Sequence, residues 1–235
     1  MRKVAIFTFI DRENEFLNKW IEYYASVLPN AELIVLTDNK DIVSNLKALK
    51  SISVSDASDL KQNKYVRDKD VFNKFQQLLL EDFDVVIYTD VDELIFHPEL
   101  ESLIDTFDQD YLTTIGFEII DFEGTKIDWN KPILEQRKVG VYSDWYDKPL
   151  IVRKPLLWED GKHNKTTPKN FVDDLYLVHL NKVDIGFLSD LNAQNKQMYS
   201  NVLNHNSLTG NELKKHIKEY FFPYLVRIPI AIKNI

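Results

Sequence analysis

Val85-Val86-Ile87-Tyr88-Thr89-Asp90-Val91-Asp92-Glu93-Leu94-Ile95 is the stretch on which the reading of this chain turns. Its first four residues are apolar or aromatic and predict a short buried strand. The strand runs directly into two aspartates one residue apart. In an extended chain, side chains two residues apart leave the same face, with α carbons roughly 6 to 7 Å apart. Asp90 and Asp92 are therefore expected to converge on one cation while Val91 turns back to the core. Carboxylate oxygens suit Mg2+ or Mn2+ rather than a thiophilic metal. A bare pair of this spacing also fits a solvated strand-to-turn junction. Its place at the carboxyl end of a buried strand, where open α/β sheets bind ligands, points to function.

Outward from this stretch, strands and helices alternate. Lys3 to Ile10 reads as a first buried strand, followed by polar residues from Asp11 to Asn14. Phe16, Leu17, Trp20, Ile21 and Tyr24 then repeat at helical spacing up to Leu28-Pro29. Leu33 to Leu36 is a second strand, Ile42, Leu46 and Leu49 mark a helix, and Ile52 to Val54 a third strand. After a polar loop, Val71, Phe72, Phe75, Leu78 and Leu79 form a long helix feeding the Val85 strand. A short helix over 100–107, strands over 111–117, 150–152 and 176–180, and an irregular stretch from Gly116 to Lys148 complete the pattern. A loop-rich region of that length is more often functional than accidental. The alternation predicts a mostly parallel α/β sheet with helices on both faces. Residues 1–184 are expected to form this domain, and 185–235 a helical C-terminal extension.

Composition narrows the function. A chain of 235 residues can bury a full core. Its net charge of -8 argues against nucleic acid as a general partner. The absence of cysteine excludes thiolate nucleophiles, disulfides and cysteine metal sites, and is compatible with a reducing cytoplasm. The start carries only a short apolar run, unlike a signal peptide, and no segment reaches the roughly 20 apolar residues of a membrane span. Neither of the glycine-rich phosphate-binding patterns, GxGxxG or GxxxxGK, occurs.

Several segments together resemble GT-A-type glycosyltransferases, close to the family-2-like group of bacterial sugar transferases. They are the first strand with its Asp11-Arg12-Glu13-Asn14-Glu15-Phe16-Leu17 helix entry, Lys69-Asp70 to Phe75, and Tyr88-Thr89-Asp90-Val91-Asp92-Glu93. Lys148-Pro149-Leu150-Ile151-Val152-Arg153, Gly161-Lys162-His163-Asn164 and Leu177-Val178-His179-Leu180 follow in the same order, so the resemblance covers roughly residues 3 to 184. It implies a GT-A-like, Rossmann-like sheet and a nucleotide-sugar donor, a UDP-sugar first. A divalent cation would bridge the donor diphosphate and stabilise the leaving group as a Lewis acid.

The resemblance also implies roles. Asp92 is the main metal ligand, and Asp90 reaches the metal through water or holds the donor ribose. Glu93 orients its neighbours or caps the next helix. His179, at a strand end, and His163, in a glycine-containing loop, are candidate further ligands, set against ordinary structural histidines. Phe9, Asp11, Asp38 and Arg67 or Lys69 are candidates for the nucleoside; Asp38 also suits a simple turn. An inverting transfer needs a carboxylate base for the acceptor hydroxyl. Asp160 is the first choice and Glu159 the second, with Asp144, Asp147, Asp173 and Asp174 as further candidates. The QxxRW motif of the fuller family pattern is missing.

The resemblance also implies a glycan or lipid-linked acceptor in bacterial surface polysaccharide assembly. The tail from Asn211 to Ile235 mixes Lys214, Lys215, Lys218, Arg227 and Lys233 with aromatic and aliphatic residues. It reads as a helix closing the sheet or as a basic surface for an anionic membrane. Two other functions fit parts of the pattern: a haloacid-dehalogenase-type phosphatase, whose nucleophile motif is also DxD, and a non-catalytic sugar- or nucleotide-binding module.

Overall fold

A computed structural model describes residues 1–10, 15–37, 39, 52–56, 69–159, 162, 167–186, 188–190, 210–221 and 226–229. The strands are β1 (Val4–Phe9), β2 (Glu32–Thr37), β3 (Ile52–Asp56), β4 (Val85–Tyr88), β5 (Glu93–Phe96), β6 (Tyr111–Ile120), β7 (Val139–Tyr142), β8 (Ile151–Val152), β9 (Phe171–Lys182) and β10 (Val226–Arg227). The described helices are α1 (Glu15–Val27), α2 (Lys69–Leu79), α3 (Leu100–Thr106), α4 (Ile133–Gln136) and α5 (Gly210–Phe221), with a 3-10 turn at Asp144–Tyr146.

The sheet runs β10-β7-β6-β8-β4-β1-β2-β3, and β9 joins it on β6 with β5 on its far side. β1 pairs in parallel with β2 and β4, and β2 with β3. β8 is antiparallel to both β4 and β6, so β6 runs in the direction of β4, and β9 is parallel to β6. Among the described strands, β5, β7 and β8 run the other way, each paired antiparallel with its neighbours. The result is the expected α/β domain with a largely parallel central sheet. β1 and β4 are apolar on both faces and buried throughout apart from the end of β1, as central parallel strands must be.

The two long N-terminal helices cover opposite faces. Tyr88 contacts Phe7 (4.9 Å between ring centroids) and Phe72 of α2 (5.0 Å), and Phe7 meets Phe75 (5.2 Å). The next residue, Thr89, points the other way, as strand alternation requires. Its hydroxyl accepts a hydrogen bond from the Trp20 indole of α1 at 2.7 Å. Tyr23 and Tyr24 extend this anchor to β5, the first donating to the Ile95 carbonyl at 2.8 Å and the second accepting from the Ile95 amide at 2.9 Å.

Several details depart from the sequence reading. The strand at Val85 ends at Tyr88, and the Glu93 amide bonds to the Asp90 carbonyl at 3.0 Å, so Asp90 to Glu93 form a turn rather than extended chain. The chain re-enters the sheet as β5, and Glu93 lies in that strand; α3 starts only at Leu100, preceded by Glu99, so Glu93 caps no helix. The stretch after Gly116 keeps more order than expected. β6 continues to Ile120, and β7 pairs back on it. In the tail, α5 is followed by β10, which pairs with β7, where a helix to the end was expected. Pro223, two residues past α5, cannot continue a helix. The helix expected around Ile42 to Leu49 lies outside the described residues.

One polar feature of α2 positions the next element. Asn73 and Gln76 are buried on its inner face. The Asn73 amide donates to the Trp158 carbonyl (2.9 Å) and accepts from the Trp158 amide (2.8 Å), and Gln76 accepts from the Leu156 amide (2.7 Å). Irregular chain over 156–158 is thereby docked on α2 as if it were a strand. Asn73→Ala leaves two buried backbone groups unpaired and is expected to cost about 2 kcal/mol. Urea unfolding should show a lower midpoint with an unchanged slope, while exposed Lys74→Ala stays within about 0.5 kcal/mol of wild type. A neutral Asn73→Ala would show that this docking carries no stability.

Candidate active site

The site forms where the Asp90–Glu93 turn meets the carboxyl end of β9. Antiparallel pairing of β5 with β9 sets Glu93 opposite His179, and parallel pairing of β6 with β9 sets Glu118 on its other side. Three ionisable side chains thus stand in a row across neighbouring strands. All are buried: Glu93 and Glu118 are each 2% exposed and His179 8%. The Leu180 amide donates to the Asp92 carbonyl at 2.8 Å, tying the turn to β9.

Each acid has its cation. Glu118 accepts from Lys182 at 2.5 Å and faces His179 Nδ1 at 2.8 Å. The other imidazole nitrogen, Nε2, lies 3.5 Å from Asp92 Oδ2, which also accepts from Asn181 at 3.2 Å. Glu93 Oε1 is paired with Lys148 at 2.5 Å, while its Oε2 is buried without a hydrogen-bond partner among the described residues. Asp90 accepts from the Tyr88 hydroxyl, and Lys162 Nζ lies 3.1 and 3.4 Å from its two oxygens. Tyr146 stacks on His179, with ring centroids 4.3 Å apart. Gly116 makes room for this ring: a Cβ there would lie 2.1 Å from the Ser143 carbonyl and 2.6 Å from Tyr146 Cβ.

The charges shift one another strongly. Burial alone would raise the pKa of Asp90, but Lys162, then Lys148, and the hydrogen bonds from Tyr88 and Lys162 hold it well below the usual carboxylate range. Burial likewise opposes ionisation of Asp92 and Glu118, and is outweighed by His179 for the first and by Lys182 and His179 for the second. Burial would lower the pKa of Lys148, which Glu93 and Asp90 instead raise. For His179, burial is overcome by Asp92 and Glu118, and its pKa rises to about 9. The imidazole is therefore charged at neutral pH.

Among the described residues, no three His, Cys, Asp or Glu side chains form a ready-made metal centre. The chemistry of the donors nevertheless suits Mg2+ or Mn2+. Neighbouring ligands of one octahedral cation stand about 3 Å apart, and Asp92 Oδ2 and His179 Nε2 are separated by 3.5 Å. The orphaned Glu93 oxygen lies on the same turn.

The structure thus brings Asp92 and His179 together and sets Asp90, on the same turn, against Lys162 rather than converging with Asp92 on one point. Glu159 is close in the chain path, its carbonyl accepting from the Lys162 amide at 2.9 Å. Phe9 ends β1 and meets Phe72 at 6.2 Å, and Lys69 is exposed at the start of α2, one turn before Phe72. Asp11, Asp38, Arg67, Asp160 and His163 lie outside the described residues. Asp147 binds the Gly116 amide (2.9 Å) and Lys169 (2.9 Å), and Asp174 accepts from the Tyr176 hydroxyl (3.2 Å). His97 accepts from the Glu99 amide. Lys148, Lys162, Glu118, Tyr146, Asn181 and Lys182 were not singled out from the sequence. The alternating Glu118 and Ile119 at the end of β6 could have signalled the first acid; Lys182 ends β9, and Lys148 and Lys162, though inside quoted segments, carry no alternation that marks them as its partners.

No family model and no curated protein matches the sequence. Among solved structures, the chain is similar to the bifunctional IspDF from Campylobacter jejuni, with 13% identity over 72% of this chain and 49% of that one, at a TM-score of 0.39. The chain spans about half the length of that enzyme. It is similar also to glucosyl-3-phosphoglycerate synthase from Mycobacterium tuberculosis, solved with Mn2+, UDP and phosphoglyceric acid (16% identity, 50% of this chain and 43% of that one, TM-score 0.33). A third is an active-site mutant of LgtC (16% identity, 85% and 66%, TM-score 0.31). The site rests on its own geometry.

The raised pKa of His179 links stability to pH. Its contribution is fully present below the ordinary value of about 6.5 and is lost as pH rises through 9. For a shift of this size the effect is a few kcal/mol. Scanning calorimetry should show the wild-type Tm falling between pH 7 and 9.5 more steeply than that of His179→Asn. Parallel curves would mean that the imidazolium adds nothing to the fold.

Proposed function

We propose that the chain is a metal-dependent glycosyltransferase that moves a sugar from a nucleotide-sugar donor, a UDP-sugar first, to a glycan or lipid-linked acceptor. The observation that carries this reading is the Asp90–Glu93 turn. It sits at the carboxyl end of a buried strand and sets Asp92 against His179, with Lys148 and Lys162 beside it. Asp92 and His179 would hold Mn2+ or Mg2+, with Asp90 beside them. When bound, the cation would neutralise charge on the departing diphosphate. His179 is oriented for this by Glu118 and by the Tyr146 ring.

Phe9, Asp11, Asp38, Arg67 and Lys69 are assigned to the nucleoside, all following β1 and β2 or leading into α2. Asp160, with Glu159 as the second candidate, is assigned as the base. It takes the acceptor hydroxyl proton as that oxygen attacks the anomeric carbon and the bond to the diphosphate oxygen breaks. His163 is a further ligand candidate. The setting is bacterial surface polysaccharide synthesis at the cytoplasmic side of a membrane, with the basic, aromatic tail meeting anionic lipid. No described helix is long and apolar enough to cross a membrane.

The test is isothermal titration of UDP with and without Mn2+. Wild type is expected to bind in an Mn2+-dependent way, and Asp92→Ala to lose at least tenfold in affinity. Because His179 must shed its proton to take a metal, the Mn2+-dependent part should strengthen from pH 7 towards 9. Mn2+-dependent binding that survives in Asp92→Ala would remove Asp92 from the metal site. No binding of UDP, GDP, CMP or dTDP by wild type would overturn the proposal.

A further inference from the structure

Lys162 has a backbone conformation that its residue type disfavours. Its φ is 59°, in the left-handed region where glycine is the usual occupant. The residue is nevertheless tightly defined. Its amide closes a turn on Glu159, immediately after the 156–158 segment docked on Asn73 and Gln76. Its ammonium lies over the rings of Phe72 (4.7 Å) and Tyr88 (4.8 Å) and reaches both oxygens of Asp90. A lysine in a costly conformation, steered by two aromatic faces onto one carboxylate, is an arrangement built for that contact.

The contact is informative because of the charge around it. Asp90, Asp92, Glu93 and Glu118 are matched by Lys162, His179, Lys148 and Lys182. A divalent cation that takes the Asp90 oxygens facing Lys162 would displace the ammonium, leaving it beside the metal without its counter-charge. A diphosphate brings that counter-charge. The side chains of Lys148, Lys182 and His179 are 6, 5 and 11% exposed beside their partners, whereas that of Lys162 keeps 16% and sits nearest the rim. Glu93 Oε2, buried and without a hydrogen-bond partner among the described residues, marks the same turn as a place where a cation is wanted.

We propose that Lys162 is a resident counter-cation that occupies Asp90 in the empty site and passes to the donor's diphosphate when a divalent cation takes its place. This rests on the transferase reading above and adds a coupling to it. Lys162 weakens binding of the metal alone and strengthens binding of the diphosphate with metal, so the two ligands bind cooperatively. The ammonium then stabilises the leaving diphosphate as its charge grows.

The test uses the full chain as wild type, Lys162→Met and Lys162→Arg, with Mn2+ alone and UDP at saturating Mn2+ as probes in calorimetric titrations. Lys162→Met is expected to bind Mn2+ alone about tenfold more tightly and UDP with Mn2+ at least tenfold more weakly. Lys162→Arg should keep the wild-type order of both affinities. Opposite signs are the signature, since a merely structural loss weakens both. Two affinities that fall together in a folded Lys162→Met, or neither changing, would overturn the exchange while leaving the transferase reading intact. Failure of wild type to bind Mn2+ and any of UDP, GDP, CMP or dTDP would overturn both. Should Lys162→Met not fold at 25 °C, Lys162→Gln makes the same comparison.

Discussion

Burial of the row Glu93, His179 and Glu118 across β5, β9 and β6 is the constraint on which the rest of this molecule depends. Each ionised group taken out of water costs several kcal/mol unless its partners are close and well oriented. The fold meets that demand from many directions at once. Lys182 comes from the end of β9 itself, Lys148 from the segment before β8, Asp92 from the turn, and the Tyr146 ring covers the imidazole. Replacing such a network with apolar residues of the same volume is often neutral or stabilising. A network of this extent at the carboxyl edge of the sheet is therefore weak evidence for stability in itself.

The two sides of the site are held differently. On one, the turn is pinned between sheet strands and α1. Trp20 bonds Thr89, Tyr23 and Tyr24 bond Ile95, and Leu180 bonds the Asp92 carbonyl, so Asp92 and His179 have little freedom to separate. On the other, Lys162 reaches Asp90 from a turn that follows directly on the 156–158 segment held by the side-chain amides of α2. Rigid support under the groups that would hold a cation, and a partner on the rim for the group that must change its bond, is the division of labour expected of a preorganised site.

Most of the fold was legible because its signals were local. The apolar runs of β1, β2 and β4 and the helical spacing in α1 and α2 each depend on a few neighbouring residues, and each element formed where the spacing placed it. β5 was not legible: Glu93 to Phe96 follows too closely on β4 to read as a separate strand, and what makes it one is its pairing with β9, more than 80 residues later. The site was legible to the same degree. Asp90, Asp92 and His179 stood out by type and position. Glu118, Lys148 and Lys182 did not, because their importance lies in register and in chain crossings that no local pattern encodes. Nor did sequence spacing reveal that Asp90 and Asp92 lie on a turn, where the faces of an extended strand no longer apply.

That turn explains why the two aspartates, so alike in sequence, have different partners. In an extended strand they would share one face and repel each other. In the turn, Asp92 is directed to β9 and meets an imidazolium, whereas Asp90 is left towards α2 and meets an ammonium held over Phe72 and Tyr88. Asp92 is tied to a partner fixed in the sheet by backbone pairing on both sides. Asp90 is tied to a side chain with four rotatable bonds on a strained backbone. The Asp90 contact is one of the interactions that hold the left-handed conformation at Lys162, whose strain is of order 1 to 3 kcal/mol. The asymmetry between the two carboxylates is thus written into the backbone, and it makes Asp90 rather than Asp92 the position at which the site can exchange one cation for another.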